Sequence, residues 1–310
     1  MVEATSRKYW SLVLAGGDGT RLQDLTREIA GAPIPKQYCR LLGTHSLLEA
    51  TLQRSQRFAP LSRTVVIVNS DHLAVGREQL DAVPPKNIVV QPCNRDTGPG
   101  LLFALLHLGH RHPSTTVAVF PSDHYVGDDQ TFVAHVNRAA EVVAEFPDKV
   151  VLLGIQPDCP EAGYGYLTPA QPLPTVKAGR EAFRVADFHE KPSRDAAQSL
   201  LSQGGLWNTF VMVFRLRRMI ELLRAVAPQE FGHMWQLSAD RSKVLDVYKE
   251  LRPWNFSSHV LARIPEHLAV LPVADVHWSD WGTRESIERS LRVLKKAPPW
   301  QAVRRAPAAA

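Results

Sequence analysis

The sequence predicts an α/β fold, in which a mostly parallel β-sheet is flanked by helices and β-rich additions follow in the second half. Up to residue 155, short β-branched runs alternate with helical patterns, which is typical of a parallel sheet covered on both faces. After residue 155, prolines and glycines separate shorter β-like stretches. The chain has 310 residues, of which 45% are hydrophobic, so it is long enough to bury one large core.

Local signals place the elements of the first half. Ser46 is a suitable N-cap for a helix that starts at residue 47. Pro99 suits the first turn of a helix that Asp96 or Thr97 would cap. The predicted strands are 9–15, 64–68, 87–91, 115–120 and 150–155, and the predicted helices are 47–58, 73–80, 98–110 and 131–146.

The second half carries the same signals over shorter stretches, and Gly and Pro residues mark the turns between them. The predicted strands there are 164–168, 183–190, 207–214 and 268–273, and the predicted helices are 216–225, 241–252 and 284–294.

Charge and cysteine content disfavour several classes of protein. The formal net charge is +5, but the basic residues are scattered, whereas a nucleic-acid-binding surface concentrates them. No apolar run approaches the roughly 20 residues that span a bilayer, and the first residues carry no signal-peptide pattern, so we expect no membrane association. The three cysteines form no C-x-x-C pair, which disfavours a zinc site or disulfide framework and favours a cytoplasmic protein.

A glycine-rich loop follows the first predicted strand and indicates a phosphate site. Gly16, Gly17 and Gly19 lie where α/β sheets bind ligands, and glycines let backbone N–H groups approach phosphate oxygens. The spacing matches neither a dinucleotide-binding motif nor a P-loop, so on the glycines alone a structural turn is an equal interpretation. Arg21, whose guanidinium can bind phosphates, and the nearby Lys36 favour the phosphate site.

The same stretch resembles a known signature. Gly-Gly-x-Gly-Thr-Arg-Leu at 16–22, followed by Pro35-Lys36-Gln37, resembles the sugar-nucleotide pyrophosphorylases, a family of nucleotidyltransferases. Pro-Lys-Gln-Tyr at 35–38 also resembles the cytidylyltransferases of isoprenoid synthesis, so this stretch alone leaves the branch open.

Later motifs favour one branch, because they resemble the mannose-1-phosphate guanylyltransferases in that family's order. They are Asn-Arg-Asp-Thr-Gly-Pro at 94–99, Pro-Ser-Asp-His at 121–124, Tyr-Gly-Tyr at 164–166, Glu-Lys-Pro at 190–192, Trp-Asn at 207–208 and Ser-Asp-Trp-Gly-Thr at 279–283. Each motif is weak alone, but together they extend over nearly the whole chain. The resemblance implies the nucleotide-diphospho-sugar transferase fold, with a Rossmann-like sheet.

The resemblance also implies a reaction. In that family a sugar 1-phosphate, here α-D-mannose 1-phosphate or another hexose 1-phosphate, attacks the α-phosphate of GTP with Mg²⁺, giving a GDP-sugar and pyrophosphate. Because both substrates are anions, such transfer depends on positioning and on charge neutralisation. We expect no general base, because the attacking phosphate oxygen is already ionised.

The resemblance assigns residues to roles. Arg21, Lys36 and Lys191 are the expected catalytic cations, and Asp123 and Asp280 are the expected metal ligands, since Mg²⁺ takes one or two protein carboxylates. The expected nucleotide-binding residues are Leu14, Ala15, Gly16, Gly17, Gly19, Thr20, Arg21, Lys36, Gln91, Asp96, Thr97 and Gly98; those for the sugar phosphate are Tyr164, Gly165, Glu190, Lys191 and Asn208.

Several of these residues have a second interpretation. Asp275 could compete with Asp280 for the metal, and Asp96 could be only a helix cap. Lys191 could be an ordinary surface lysine before a proline turn.

Two further features bear on specificity and metal binding. Phe210 stands where the family usually has the glycine of Trp-Asn-Ser-Gly, which puts the choice of mannose in doubt but not the reaction type. His107, His110 and His112 suit a helix C-terminus better than a metal site.

We expect a single nucleotidyltransferase domain at 8–295, with a nucleotide-binding half at 8–155 and a sugar-binding half at 156–295, and a flexible tail at 296–310. The signals of an isomerase domain or a left-handed β-helix, which longer relatives carry, do not occur, so we expect no isomerase activity. The alternatives are a thymidylyl- or uridylyltransferase acting on glucose 1-phosphate, and a non-catalytic GDP-sugar-binding regulator. The expected partners are small molecules, with no nucleic acid and no membrane; a homodimer stays open.

Overall fold

The computed structural model describes residues 9–174, 181–239, 241–298 and 300. The strands in these ranges are β1 (Tyr9–Ala15), β2 (Thr64–Asn69), β3 (Ile88–Gln91), β4 (Thr116–Pro121), β5 (Val150–Ile155), β6 (Gly165–Pro172), β7 (Phe183–Glu190), β8 (Leu206–Arg215) and β9 (Leu268–Val273). Within the described residues, no helix is both long enough and apolar enough to cross a membrane.

The helices vary from one turn to nearly five turns. They are α1 (Gln23–Ala30), α2 (Leu47–Gln56), α3 (Leu73–Gly76), α4 (Thr97–Gly109), α5 (Asp129–Glu145), α6 (Arg194–Ser202), α7 (Leu216–Val226), α8 (Pro228–Ala239), α9 (Val244–Glu250), α10 (Phe256–His259) and α11 (Arg284–Val293).

The strands of the described ranges form one nine-stranded sheet in the order β3-β2-β1-β4-β8-β5-β9-β7-β6. Within it, β7 and β8 run against the direction of the other strands. The predicted α/β class with a mostly parallel sheet and β-rich additions is therefore confirmed. β1 lies between β2 and β4 and pairs with both in parallel, so the loops after β1 and β4 leave the sheet at the same edge.

Alternate residues of the central strands supply two cores, one on each face of the sheet. On β1, Leu12 belongs to the cluster that includes α4, α7 and α8, whereas Val13 belongs to the cluster under α2 and α5. This alternation follows from the two-residue period of a strand. A third, smaller cluster, made by α1, the segment at 39–47 and α11, encloses the fully buried ring of Trp281.

β8 changes neighbours along its length. Residues 212–215 pair with β4, whereas Leu206 and Trp207 pair with β6. Phe210 lies between these stretches with a φ of 58°, and the register with β5 shifts at the same level, between Leu152 and Gly154. The sheet therefore opens beyond the end of β4, and the cleft described below lies at this opening.

Most predicted elements are confirmed, and the bounds of β1, β5, β7 and β9 agree to the residue. The helix predicted at 73–80 is wrong in extent, because α3 ends at Gly76 and a 3₁₀ turn follows at Glu78–Leu80. The helix predicted at 241–252 is also shorter, since α9 is preceded by a 3₁₀ turn. The sequence analysis missed α1, α6, α8 and α10. Residues 299 and 301–310 of the predicted tail lie outside the described residues, while Trp300 is buried.

Gly154 allows β5 to pack between its neighbours, because a Cβ there would lie 2.7 Å from Val270 Cγ2 and 2.9 Å from Leu206 Cβ. We expect Gly154→Ala to lower the free energy of unfolding by about 1–3 kcal/mol through overpacking. Gly232→Ala is the matched control, since Gly232 is an exposed residue of α8 and nothing lies within 4 Å of the new Cβ; alanine is the better helix former there. Urea unfolding of both variants checks this, and equal stability would contradict it.

Candidate active site

The loop after β1 forms a backbone cradle with three glycines, each in a different environment. Gly19 has a φ of 59°, in the left-handed region that favours glycine, and a Cβ there would lie 2.9 Å from Lys36 N. A Cβ on Gly16 would overlap the Gln91 amide. A Cβ on Gly17 would meet no atom within 4 Å, because this exposed residue faces open space. The loop therefore presents bare backbone to whatever enters the cleft.

Side chains of the segment around the Pro-Lys-Gln motif donate hydrogen bonds to carbonyl groups of this cradle. Gln37 donates from Nε2 to the carbonyl oxygens of Gly17, at 2.6 Å, and Ala15, at 3.2 Å. The Tyr38 hydroxyl donates to the same Ala15 oxygen at 2.8 Å. Neither side chain was among the predicted site residues, although Gln37 belongs to the quoted motif. The motif therefore has a structural task besides supplying a cation.

Lys36 links three parts of the site through its buried ammonium group. Its Nζ lies 3.2 Å from Asp123 Oδ2, 2.5 Å from the Asp280 carbonyl oxygen and 3.2 Å from the Trp281 carbonyl oxygen. The side chain is only 6% exposed. An ammonium group has three donors, and these three acceptors match them. Lys36 thus fixes the end of β4 against the late loop that precedes α11.

The two predicted metal ligands come together because their loops are joined. Tyr125 and Ser279 exchange backbone hydrogen bonds of 2.8 and 3.1 Å. The Tyr125 ring stacks on Trp281, with centroids 4.4 Å apart and planes inclined by 4°. Asp280 then accepts at Oδ1 from the Tyr164 hydroxyl, at 2.7 Å, and from the backbone N–H of Gly282, at 2.8 Å. The carboxylates of Asp123 and Asp280 both line the same cleft.

The electrostatic environment keeps these groups in defined protonation states. Burial alone would raise the pKa of Asp123, but the Lys36 ammonium and His124 beside it bring that pKa below its usual range. Burial lowers the pKa of His124. Burial, reinforced by the charge of Asp280, raises the pKa of the Tyr164 phenol, which therefore stays a hydrogen-bond donor. The site at neutral pH thus contains an ionised Asp123.

Arg21 is an exposed cation beside the paired aspartates. It lies beside Gly282, where a Cβ would be 3.0 Å from Arg21 Nη2 and 2.7 Å from Asp280 Oδ2. Arg21 therefore stands next to the Asp280 carboxylate. Its donors have no ion-pair partner in the described ranges, so they are available to an anion.

The opposite wall carries the residues predicted for the sugar. A Cβ on Gly165 would lie 2.9 Å from Glu190 Oε2, so only glycine leaves room for that carboxylate. Burial raises the pKa of Glu190. Asn208 Oδ1 accepts from Phe210 N at 3.0 Å, which turns the side chain toward the bulge of β8. Lys191 is exposed, has a φ of 48°, and reaches Glu190 Oε1 only at 3.9 Å, so it lies at the rim.

A second cavity adjoins the first at the glycine loop. The first encloses about 260 Å³ and the second about 210 Å³, and both are lined by Leu14, Gly16, Gly17 and Thr97. Gln91, Asn94 and Asp96 line only the second. Gln91 is buried, and its Oε1 has no hydrogen-bond partner among the residues that the structure describes.

Asp96 is a helix cap and also a residue of the cavity wall. Its Oδ1 accepts from Thr97 N at 2.6 Å, so it is the N-cap of α4, and its side chain also lines the second cavity. Thr97 Oγ1 in turn accepts from Phe256 N at 2.9 Å, which docks α10 on the start of α4.

The cleft does not include every predicted residue and contains several that were not predicted. Lys36, Arg21, Lys191, Ala15, Thr20 and Gly98 lie around the two cavities without lining them. Sequence reasoning missed the lining residues Gln37, His124, Asn255, Ser257 and Trp278. Of these, Gln37 and His124 belong to quoted motifs, whereas Asn255 and Ser257 come from α10 and its cap and carry no local signal.

The donor set fits a hard divalent cation. Asp123 and Asp280 line one cleft, and no group of three or more His, Cys, Asp or Glu that could hold a metal ion occurs within the described ranges. Mg²⁺ commonly uses one or two protein carboxylates and completes its shell with water and substrate phosphates. Asp123 and Asp280 are therefore suited to such an ion. Asp275, the predicted competitor, is exposed and does not line the cleft.

Comparisons with known proteins identify the family of this chain. A family model described as nucleotidyl transferase matches residues 10–296. The xanthan biosynthesis protein XanB of Xanthomonas campestris pv. campestris (strain B100) is 37% identical over 285 residues, which cover 89% of this chain and 58% of that protein. The mannose-1-phosphate guanylyltransferase of Escherichia coli (strain K12) is 34% identical over 299 residues, covering 90% of this chain and 59% of the relative.

Solved structures show the same relationship. A crystal structure titled mannose-1-phosphate geranyltransferase, from Thermus thermophilus, aligns with a TM-score of 0.79 and 31% identity, over 92% of this chain and 79% of that one. The chain spans a little under 60% of the length of the two curated relatives, 58% and 59%.

Phe210 provides a test of the bulge that shapes the cleft. Its φ of 58° strains any residue except glycine, by about 1–2 kcal/mol. Phe210→Gly and Phe210→Ala both remove the ring, but only glycine relieves the backbone. We therefore expect the glycine variant to be more stable than the alanine variant by about 1 kcal/mol, the reverse of their usual order in a strand. Thermal and urea unfolding measure the difference; an alanine variant as stable as the glycine variant would refute the assignment.

Proposed function

We propose that this chain, which belongs to the nucleotidyl transferase family, transfers a guanylyl group from GTP to a hexose 1-phosphate. The expected sugar is α-D-mannose 1-phosphate, and the products are GDP-mannose and pyrophosphate. The observation that carries the proposal is the cleft between the glycine cradle and the paired aspartates, which joins a second cavity of base size. We also place the enzyme in the cytoplasm, where its three free cysteines stay reduced.

The chemistry is an in-line displacement at the α-phosphorus. A phosphate oxygen of the sugar 1-phosphate forms the new P–O bond, while the bond to the β-phosphate oxygen breaks and releases pyrophosphate. The nucleophile is already an anion, so no side chain has to remove a proton. The protein must instead align two anions and compensate their charge.

The chain's own residues divide this work. Backbone N–H groups of the cradle and the Arg21 guanidinium bind the triphosphate and stabilise the leaving pyrophosphate. Asp123 and Asp280 would hold Mg²⁺, which neutralises phosphate charge in the cleft. Lys36 keeps the two aspartates together and contributes positive charge beneath the phosphates. Lys191, exposed at the rim, binds the phosphate of the incoming sugar.

The second cavity supports guanine as the base. Guanine presents N1–H and N2–H₂ as adjacent donors, whereas the single N3–H of uracil or thymine lies between two carbonyl acceptors. The Asp96 carboxylate, which lines that cavity beside the Gln91 side chain, provides acceptor oxygens for these donors. A carboxylate suits guanine and would repel the carbonyl groups of the pyrimidines.

The sugar side supports a hexose with free hydroxyl groups. The half-buried Glu190 carboxylate accepts hydrogen bonds from hydroxyl groups, and the Asn208 amide, whose oxygen is used by Phe210 N, keeps its NH₂ group as a donor. Phe210 adds an apolar ring to the same wall. The name of the relative from Escherichia coli supports mannose as the sugar.

A substrate matrix tests the proposal. Purified protein is incubated with Mg²⁺ and each pairing of GTP, UTP, dTTP, CTP or ATP with mannose, glucose or other hexose 1-phosphates, and pyrophosphate release is measured. We expect the highest kcat/KM for GTP with mannose 1-phosphate. Preference for UTP or dTTP with glucose 1-phosphate would overturn the base assignment. Tight binding of GDP-mannose without turnover of any pair would identify a regulator instead.

Asp123→Asn tests the proposed metal site. The substitution removes one negative charge, so we expect Mg²⁺-dependent turnover to fall by roughly two orders of magnitude or more. The fold should persist, because Lys36 keeps both backbone carbonyl partners. Asp275→Asn is the control, since this exposed residue has a φ of 59°, which asparagine tolerates. Near-normal turnover of Asp123→Asn, or an equal loss in both variants, would remove the assignment.

A further inference from the structure

One residue of the glycine loop is at odds with phosphate binding. Asp18 stands between Gly17 and Gly19, and a carboxylate in this position would repel a triphosphate. Neither cavity is lined by Asp18, although Gly16 and Gly17 line both. The side chain is therefore turned behind the loop, away from the side on which the substrate would lie.

Three donors meet the Asp18 carboxylate there. Asn94 Nδ2 donates to Oδ2 at 2.8 Å, while Asn69 Nδ2 and His72 Nε2 lie 3.4 and 3.3 Å from Oδ1. Asn69 is the last residue of β2, and His72 follows in the next turn; Asn94 follows β3. The carboxylate thus fastens the loop after β1 to the ends of the two neighbouring strands.

Asn94 continues this connection to the second cavity. While its Nδ2 holds Asp18, its Oδ1 accepts from Asp96 N at 2.8 Å. Asp96 needs that support, because its φ of 68° and ψ of −176° lie in a region that is essentially confined to glycine. The hydrogen bonds run from the glycine loop through Asp18 and Asn94 to Asp96, a residue of the proposed base site.

We propose that Asp18 and Asn94 are positioning residues that set the glycine loop and the base cavity at the separation a nucleoside triphosphate requires. This inference rests on the proposed function in taking the second cavity as the base site. Asp18 lines neither cavity and acts through Asn94, which lines the second. Together they hold the glycine loop and the base cavity in fixed positions. These two parts of the protein therefore do not have to become ordered when the nucleotide binds.

The proposal predicts a selective defect. Asp18→Ala removes a charged acceptor from three donors, so binding of GTP should weaken by roughly tenfold or more. Binding of mannose 1-phosphate should stay close to wild type, because its expected partners Glu190 and Asn208 lie across the cleft. A substitution that merely loosened the fold would weaken both ligands.

The experiment measures GTP and mannose 1-phosphate separately in the full-length protein with Mg²⁺, by titration calorimetry and by the KM of each substrate. Asp24→Ala is the matched control: it removes the same charge from nearby α1, and its fully exposed carboxylate pairs only with Arg27 among the described residues. We expect a raised Kd and KM for GTP in Asp18→Ala and neither in Asp24→Ala. An unchanged Kd for GTP, or an equal loss for both ligands, would overturn the proposal.

Asp18→Asn distinguishes the loss of these hydrogen bonds from a folding defect. It keeps one acceptor oxygen for the donors and nearly the same shape, so GTP should bind more tightly than to Asp18→Ala, with a melting temperature near that of wild type. If the wild type turns over a different nucleotide, the base assignment fails and the same titrations with that nucleotide decide the role of Asp18. If the wild type binds no nucleotide at all, both proposals fail.

Discussion

The site depends on a buried cation that holds two distant parts of the chain together. The Lys36 ammonium contacts the Asp123 carboxylate and the carbonyl oxygens of Asp280 and Trp281, and its side chain is 6% exposed. A buried charge is tolerated only when it is paired and hydrogen-bonded, so these acceptors stabilise the buried ammonium group. The same geometry that satisfies Lys36 places both aspartates at one cleft. Stability and the arrangement of the site therefore have a common origin.

The loop that carries Asp280 is held by packing as well as by charge. Trp281 has a φ of 47° and is fully buried; its ring stacks on Tyr125 and its Nε1 donates to Ser290 on α11 at 3.0 Å. A positive φ persists at a bulky residue only where the surroundings determine the conformation. The third hydrophobic cluster supplies that constraint, so α11 acts on the cleft through Trp281 although it lies outside it.

The sequence predicted what depends on local pattern and missed what depends on contacts made in the folded chain. Strands such as β5 and β9 are continuous apolar runs, so their bounds could be predicted to the residue. The polar α1 and α6 have no strong apolar signal and form by packing one face on the protein. In the site, Asp123 and Asp280 could be predicted from motifs. The contribution of Ser257 could not, because only the docking of α10 on Thr97 brings it to the cleft.

Phe210 shows how closely the shape of the cleft and the construction of the sheet are linked. β8 must leave β4 and join β6, and the left-handed residue between the two stretches makes this turn. A glycine would adopt that conformation without strain, yet here the ring packs against Phe256, with centroids 5.9 Å apart, and Asn208 Oδ1 accepts from Phe210 N. These contacts offset the backbone strain. Because the same ring lines the cleft beside Asn208, the residue that stabilises the bulge also determines the space left for the sugar.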